Sequence, residues 1–340
     1  MTPSLGVEGG SILQPGHWTL SLGFRYYNSR QDVVGDDPQP EDKPIVYAST
    51  HVLQWDLNAV YAVTKRLSLV LDIPFQYGTR ATSIEHDFSH PNPPPLHTMR
   101  AGGLGDIRLM ADFWLLNPDR HPNQNIALGL GVKFPTGVDD ASDTSFRPTG
   151  PIERPVDPAI QPGDGGWGIV FHSHGFTSLA AQGALKNTFA YFDGTYLANP
   201  REMNGVEQPP GDLPQATAGG DPGLVFDSVP DQFLARLGFI QVGFPVRELS
   251  FSFGGRLEGD PSHDLIGGSE GWRLPGYSVS VEPGVSYTRG HDYIAVTVPI
   301  AVFRHGSKSA PFERLGVPQP PNGTATIADY QITLTYTHTF

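Results

Sequence analysis

The sequence contains no cysteine in its 340 residues. A disulfide framework, a thiolate metal site and a cysteine nucleophile are therefore excluded. The chain also lacks an apolar run of 18 or more residues, so no transmembrane helix is predicted. Its net charge of −13 comes without any stretch rich in lysine and arginine. Because phosphate binding requires a concentrated basic surface, we exclude a nucleic-acid partner.

The chain does contain long segments in which apolar and polar residues alternate. Trp18, Leu20 and Leu22 share one face of such a segment, and Thr19 and Ser21 share the other. A period of two residues is typical of a β-strand with two different surroundings. The segments reach ten residues or more, which suits a tilted strand that crosses a bilayer.

Twelve such segments predict an all-β fold, a closed antiparallel up-and-down transmembrane β-barrel. Ten or fourteen strands are the alternatives. The predicted strands lie near residues 17–28, 49–63, 66–77, 100–116, 124–134, 166–177, 184–197, 232–244, 248–258, 276–288, 292–304 and 328–340.

Short and long connections alternate between these strands, which is typical of a bacterial outer membrane barrel with short periplasmic turns and long extracellular loops. We therefore predict a periplasmic lead-in at 1–16, a barrel over 17–340 and an outer membrane location with lipid and lipopolysaccharide as neighbours. Phe340 ends an amphipathic strand and resembles the signal that the barrel insertion machinery recognises. The predicted outer loops lie near 29–48, 78–99, 135–165, 198–231, 259–275 and 305–327.

Two motifs carry a resemblance to a known family. GLGDIRL, with its core at 104–109, is followed by KFPTG at 133–137, and the chain ends in phenylalanine. This arrangement resembles a family of outer membrane proteins named for the meta-cleavage pathway of phenol degradation. The resemblance implies a membrane barrel for transport of hydrophobic or aromatic compounds.

Alternation also assigns charged residues of both signs to the inside of the barrel. Such residues either line a water path or pair across the lumen and close it. We expect a passive channel for a small solute, and these residues are the candidates for its selectivity. They are Arg25, Asp56, Asp72, Asp106, Arg108, Asp112, Lys133, Arg236, Arg256, Glu258 and Glu282.

Two other functions stay open: an outer membrane hydrolase resembling the phospholipase of that membrane, and a closed barrel that presents its loops. We predict no enzymatic activity and no cofactor, since no nucleophile elbow and no zinc-protease motif occurs. His172 and His174 share a strand face and could bind a metal in the lumen. We favour the interpretation that they are ordinary polar lumen residues.

Overall fold

The computed structural model describes residues 12–30, 32–38, 48–83, 96–147, 150–180, 182–183, 185–207, 222–315 and 325–340. Within these residues twelve antiparallel strands form one closed barrel, as the sequence predicts. The strands are β1 (Trp18–Ser29), β2 (Ala48–Ala62), β3 (Leu67–Ser83), β4 (Leu96–Leu104 and Arg108–Trp114), β5 (Gln124–Lys133), β6 (Gly168–Ser178), β7 (Thr188–Ala198), β8 (Gln232–Val242), β9 (Leu249–Asp260), β10 (Gly276–Arg289), β11 (Asp292–Thr297 and Ile300–Gly306) and β12 (Tyr330–Thr339).

Each strand pairs with the next one in the chain, and the last strand pairs with the first. Thr19 lies opposite Thr339 and Asn28 lies opposite Tyr330 across this closing seam. The rings of Trp18 and Phe340 stack beside the seam with their centroids 4.4 Å apart. Closure gives each of the twelve barrel strands in the described residues a partner on both sides, which a sheet in lipid requires.

Two of the strands are interrupted, and proline accounts for both interruptions. Pro299 lies between the two segments of β11. Its ring nitrogen carries no hydrogen to donate, so the ladder of backbone hydrogen bonds is interrupted there. In β4 the chain leaves the sheet at Gly105, whose N–H donates to the carbonyl oxygen of Pro74 on β3 at 2.8 Å. A proline within a closed sheet predicts a strand end or a bulge. Pro74 itself lies inside β3, next to the interruption of its neighbour.

The short connections lie at one end of the barrel, which we call the turn end, and the long ones lie at the other, the loop end. Parts of five predicted outer loops, and residues 1–11 of the predicted lead-in, lie outside the described residues. The described loop elements are Asp32–Val34 with Asp37–Pro38 and Ala325–Thr326, the hairpin Ser142–Arg147 with Gly150–Pro155, Met203–Glu207 with Phe226–Ser228, the 3₁₀ helix Pro158–Ile160 and the short helices Pro222–Val225 and Ala310–Leu315. Neither α-helix in this part of the chain is long and apolar enough to span a membrane.

The outer surface of the barrel is apolar. On β3, Leu71 and Phe75 are exposed on the outside, whereas Val70 and Asp72 are buried inside. A broad exposed apolar surface is unstable in water and stable against lipid tails. A closed barrel with this surface is an outer membrane protein, as predicted.

The apolar core of the molecule lies inside the barrel. Near the loop end, Tyr27 and Val52 of the wall pack with Val156 and Ile160, which belong to the connection between β5 and β6. Residues 156–166 of that connection, which we call the lumen segment, therefore fold inward. Gly78 makes room for them, since a Cβ at this position would lie 2.6 Å from the Cβ of Ile160.

Candidate functional site: the charged lumen

Ten of the eleven predicted lumen residues occupy inward-facing strand positions, and Asp106 lies in the break between the two segments of β4. Most of them are buried, and Asp56 and Arg236 are half-buried. The strand register then brings particular pairs together. Asp72 of β3 lies opposite Arg108 of β4, and Arg236 of β8 lies opposite Arg256 of β9. The lumen is thus a set of charge clusters contributed by neighbouring strands.

The first group, the Glu282 cluster, consists of Arg236, Arg256, Glu258, Glu282 and Gln331. One oxygen of Glu282 accepts from Nε of Arg236 at 2.9 Å, and the other lies 3.4 Å from Nη1 of Arg256. Arg256 also donates to Glu258 at 2.7 Å, and Gln331 donates to the same carboxylate. Shared partners of this kind offset part of the cost of burying each charge.

The second group, the Lys133 cluster, joins the barrel wall to the lumen segment. Lys133 forms an ion pair with Asp164 and lies 3.6 Å from Asp106. Asp106 in turn accepts from the backbone N–H of Gly137 at 2.9 Å and of Asp164 at 3.2 Å. The GLGDIRL and KFPTG motifs therefore meet here, because one supplies Asp106 and the other supplies Lys133 and Gly137.

Arg25, Asp56, Asp72 and Arg108 lie between these two clusters. Arg25 donates to Gln54, and Gln54 donates to Asp56 at 3.2 Å. Arg108 forms an ion pair with Asp72 at 3.7 Å. Charges of both signs therefore continue around the barrel wall at this level.

The last candidate, Asp112, belongs to a third group that also contains His172, His174 and Asp193, the His172 cluster. Nδ1 of His172 lies 3.2 Å from Asp112, and its Nε2 lies 3.4 Å from Asp193. His174 lies beside His172, with ring centroids 4.8 Å apart. Both histidines thus point into the lumen, as their spacing predicts.

The lumen segment is fixed to the wall by further polar contacts. Arg80 forms an ion pair with Asp157 at 3.2 Å. The Tyr27 hydroxyl donates to the carbonyl oxygen of Ala159 at 3.1 Å, and Gln76 donates to that of Gln161 at 3.0 Å. The segment therefore narrows the lumen in its loop-end half.

Two cavities lie on either side of the lumen segment. One, of about 40 Å³, lies between the segment and the Lys133 cluster. The other, of about 80 Å³, lies towards the loop end and is lined by Pro158, Trp272, Leu274 and Ile327, with Glu258 among its polar groups. We call this second cavity the mouth cavity. Each cavity has room for a few water molecules or a small part of a solute.

Asp231 holds the loops together near this mouth. Its carboxylate accepts from the N–H of Asn199 at 2.6 Å, from that of Leu265 at 2.7 Å and from the Tyr196 hydroxyl at 2.8 Å. Burial raises the pKa of the Asp231 carboxyl group, and these donors act in the opposite direction.

Several residues of the site are missing from the sequence-based set. Asp193 lies on the inward face of β7. Its spacing of two residues from Tyr191 and from Thr195, which share that face, is the signal in the sequence that identifies it. Asp164 and Asp157 lie in an aperiodic loop that the sequence places outside the barrel, so no periodicity points to them. Arg80 lies beyond the predicted end of its strand at residue 77.

This chain resembles known proteins in its fold and not in its sequence. No family model and no curated protein matches the sequence. A crystal structure of an outer membrane channel from Pseudomonas putida F1 matches 98% of this chain and 100% of its own at 14% identity, with a TM-score of 0.57. A Pseudomonas aeruginosa FadL homologue (8% identity, 95% and 90% covered, TM-score 0.39) and the Pseudomonas putida toluene transporter TodX (9%, 95% and 89%, 0.42) also match. The first of these structures has the same type of fold as this chain.

Proposed function

We propose that this protein is an outer membrane channel for the passive uptake of a small solute. The mouth cavity carries this proposal, because it combines apolar walls at Trp272, Leu274 and Ile327 with the polar group of Glu258. An apolar pocket with few, placed polar groups is typical of a site for a small organic molecule. The likeness of the fold to an outer membrane channel supports the same function.

We propose hydrophobic or aromatic compounds as the solutes. The resemblance to the family named for phenol degradation favours phenolic compounds, and the Trp272 ring offers a surface on which an aromatic ring can stack. The charge clusters below the mouth then act as the selectivity element, in which carboxylates outnumber cationic groups. Passage requires the lumen segment to move, since it lies across the path between the two cavities.

The arrangement of serine and histidine side chains supports a hydrolase less well than the lumen supports a channel. Ser173 points to the opposite strand face from His172 and His174, so these residues form no Ser–His pair. A Ser–His contact does occur between Ser49 Oγ and His51 Nε2 at 3.2 Å, and Nδ1 of His51 contacts the Tyr26 hydroxyl at 2.9 Å. In serine hydrolases an amide or a carboxylate orients the histidine base, whereas here the Tyr26 hydroxyl occupies that position beside His51. We therefore infer a channel without enzymatic activity.

We also propose how the chain enters the outer membrane and which end of the barrel faces the periplasm. We propose that Phe340, which is exposed beside Trp18, presents the chain to the barrel insertion machinery. The turn end then faces the periplasm and the loop end faces outward, against lipopolysaccharide.

Permeation through the purified protein in lipid vesicles tests the proposed function. Because phenol also crosses a lipid bilayer unaided, each entry rate is measured as the increase over protein-free vesicles. We expect this increase to be larger for phenol than for a neutral sugar of similar size, and planar bilayers to show small conductance steps. Trp272→Ala should slow phenol and leave the sugar rate unchanged. The control, Trp167→Ala, removes an exposed ring outside the mouth cavity and should behave as wild type. Absence of both conductance and solute entry would favour the closed barrel that presents its loops.

A further inference from the structure

We propose that Asp112, His172 and His174 form a binding site for a divalent transition metal ion of the zinc type. Asp112 belongs to β4, and both histidines belong to β6. Their donor atoms all lie within 4.8 Å of one another, and all three residues are buried. Two imidazole nitrogens and a carboxylate oxygen are a donor set that zinc and its neighbours in the first transition row prefer.

The first argument is the state of His174. Its side chain is 5% exposed, and neither ring nitrogen has a hydrogen-bond partner in the part of the chain that the structure describes. A buried polar group without a partner costs about 1–3 kcal/mol. The edge of the Trp114 ring packs against His174 at a centroid distance of 4.8 Å and limits its rotation. A metal ion supplies the missing partner for one nitrogen.

The second argument is the arrangement of His172. Its Nδ1 faces Asp112, and its Nε2 faces Asp193 on the other side. If a metal ion binds between Nδ1, Asp112 and His174, the Nε2–H group donates to Asp193. A carboxylate that accepts from the second nitrogen of a metal-bound histidine is the usual way in which proteins fix such a ligand. The two carboxylates also balance the charge of a divalent ion.

The third argument is the space that Gly129 provides. This glycine lies on β5 between Asp112 and His172 in the strand register. A Cβ at Gly129 would overlap the Asp112 carboxylate and lie 3.0 Å from the Cβ of His172. The missing side chain lets the two ligands approach each other across an intervening strand. Three protein ligands also leave a position for water or a lumen solute.

Zinc binding to the folded barrel tests this site independently of transport. The protein in detergent is stripped with a chelator, dialysed against zinc chloride, and its metal content is measured. We expect one zinc ion per chain with saturable binding, and a cobalt derivative with the visible absorption of a four-coordinate ion. Asp193→Asn should weaken the affinity about 10–100-fold, the loss usual for a residue that orients a ligand.

His174→Gln is the decisive variant, and His51→Gln is its control. His174 has no hydrogen bond to lose, so the variant should fold, which heat-modifiable migration in electrophoresis verifies. It should lose saturable zinc binding and the cobalt spectrum, whereas His51→Gln, on the outer face, should retain both. Wild-type protein that binds no zinc after stripping would overturn the proposal and leave His172 as an ion-pair partner of the carboxylates. Full zinc binding by His174→Gln would overturn it as well.

Discussion

Lys133 of the barrel wall forms a buried ion pair with Asp164 of the lumen segment. The ammonium group is almost completely shielded from solvent, and this partner and Asp106, 3.6 Å away, offset the cost of burying its charge. A buried charge without a partner is strongly unfavourable. The pair therefore both stabilises the barrel and holds the segment across the lumen.

Asp164→Asn should release this segment. We expect the stability of the barrel to fall by about 3 kcal/mol, the low end for a broken buried pair, because Asp106 still faces Lys133. Conductance in planar bilayers should rise, since the segment is no longer held in the path. Asp140→Asn, an exposed position in the same loop, is the control and should change neither quantity. Lower stability with unchanged conductance would contradict a gating role for the segment.

Glu282→Gln should alter ion selectivity. Arg236 and Arg256 both lose their shared carboxylate, and excess positive charge remains within the Glu282 cluster. The reversal potential in a salt gradient should shift towards anions, and Arg236→Gln should shift it towards cations. A loss of stability in both variants, with no conductance in either, would instead indicate a closed network.

Gly254→Ala and Gly255→Ala test the close approach of side chains inside the barrel. A Cβ at the inward Gly254 would lie 2.5 Å from the carbonyl oxygen of Leu237 and 2.9 Å from the Tyr191 hydroxyl, whereas one at the outward Gly255 meets nothing closer than 3.9 Å. Overpacking of this kind costs about 1–3 kcal/mol. Urea unfolding in lipid vesicles should show this loss for Gly254→Ala only. Equal stability of the two variants would argue against this close approach at Gly254.

Leu71→Arg and Asp72→Asn test which face of β3 meets lipid. Leu71 is exposed on the outside, and Asp72 is buried beside Arg108. An arginine on the lipid face near the middle of the bilayer costs about 2–4 kcal/mol. The first variant should therefore insert poorly into lipid vesicles, and the second should insert normally. The same contrast is expected between Val281→Arg and Glu282→Gln.

The orientation of the barrel can be read from single cysteines, because the natural chain has none. Glu153→Cys lies in the exposed hairpin at the loop end, and Lys65→Cys and Arg289→Cys lie at the turn end. A maleimide that does not cross membranes should label only the first in intact cells. Labelling of residue 65 from outside would reverse the proposed orientation.

The fold follows from the sequence to a large extent. A strand has a period of two residues, so the sequence alone assigns Leu71 to the lipid and Asp72 to the lumen. The same rule places ten of the eleven predicted charges on the inward face of their strands and also points to Asp193. The alternation of short and long connections predicts the strand order, since an up-and-down barrel has no other way to connect its neighbours.

The partners of those charges could not be predicted in this way. Arg236 pairs with Glu282 because the barrel places β8 and β10 on either side of β9, a relation that depends on the stagger of the strands. Glycine positions decide how close the groups come, as Gly129 does for Asp112 and His172. These distances are properties of the closed wall, and a single strand does not contain them.

The sequence by itself determined the barrel, its two faces and the charged character of its interior, because each depends on local periodicity. Only the tertiary structure decided what fills the lumen. The segment that carries Asp157, Ile160 and Asp164 has no periodicity and reads as an outer loop. It folds inward because Arg80, Lys133 and the space over Gly78 lie in the wall, far from it along the chain, and accept its charges and its apolar side chain.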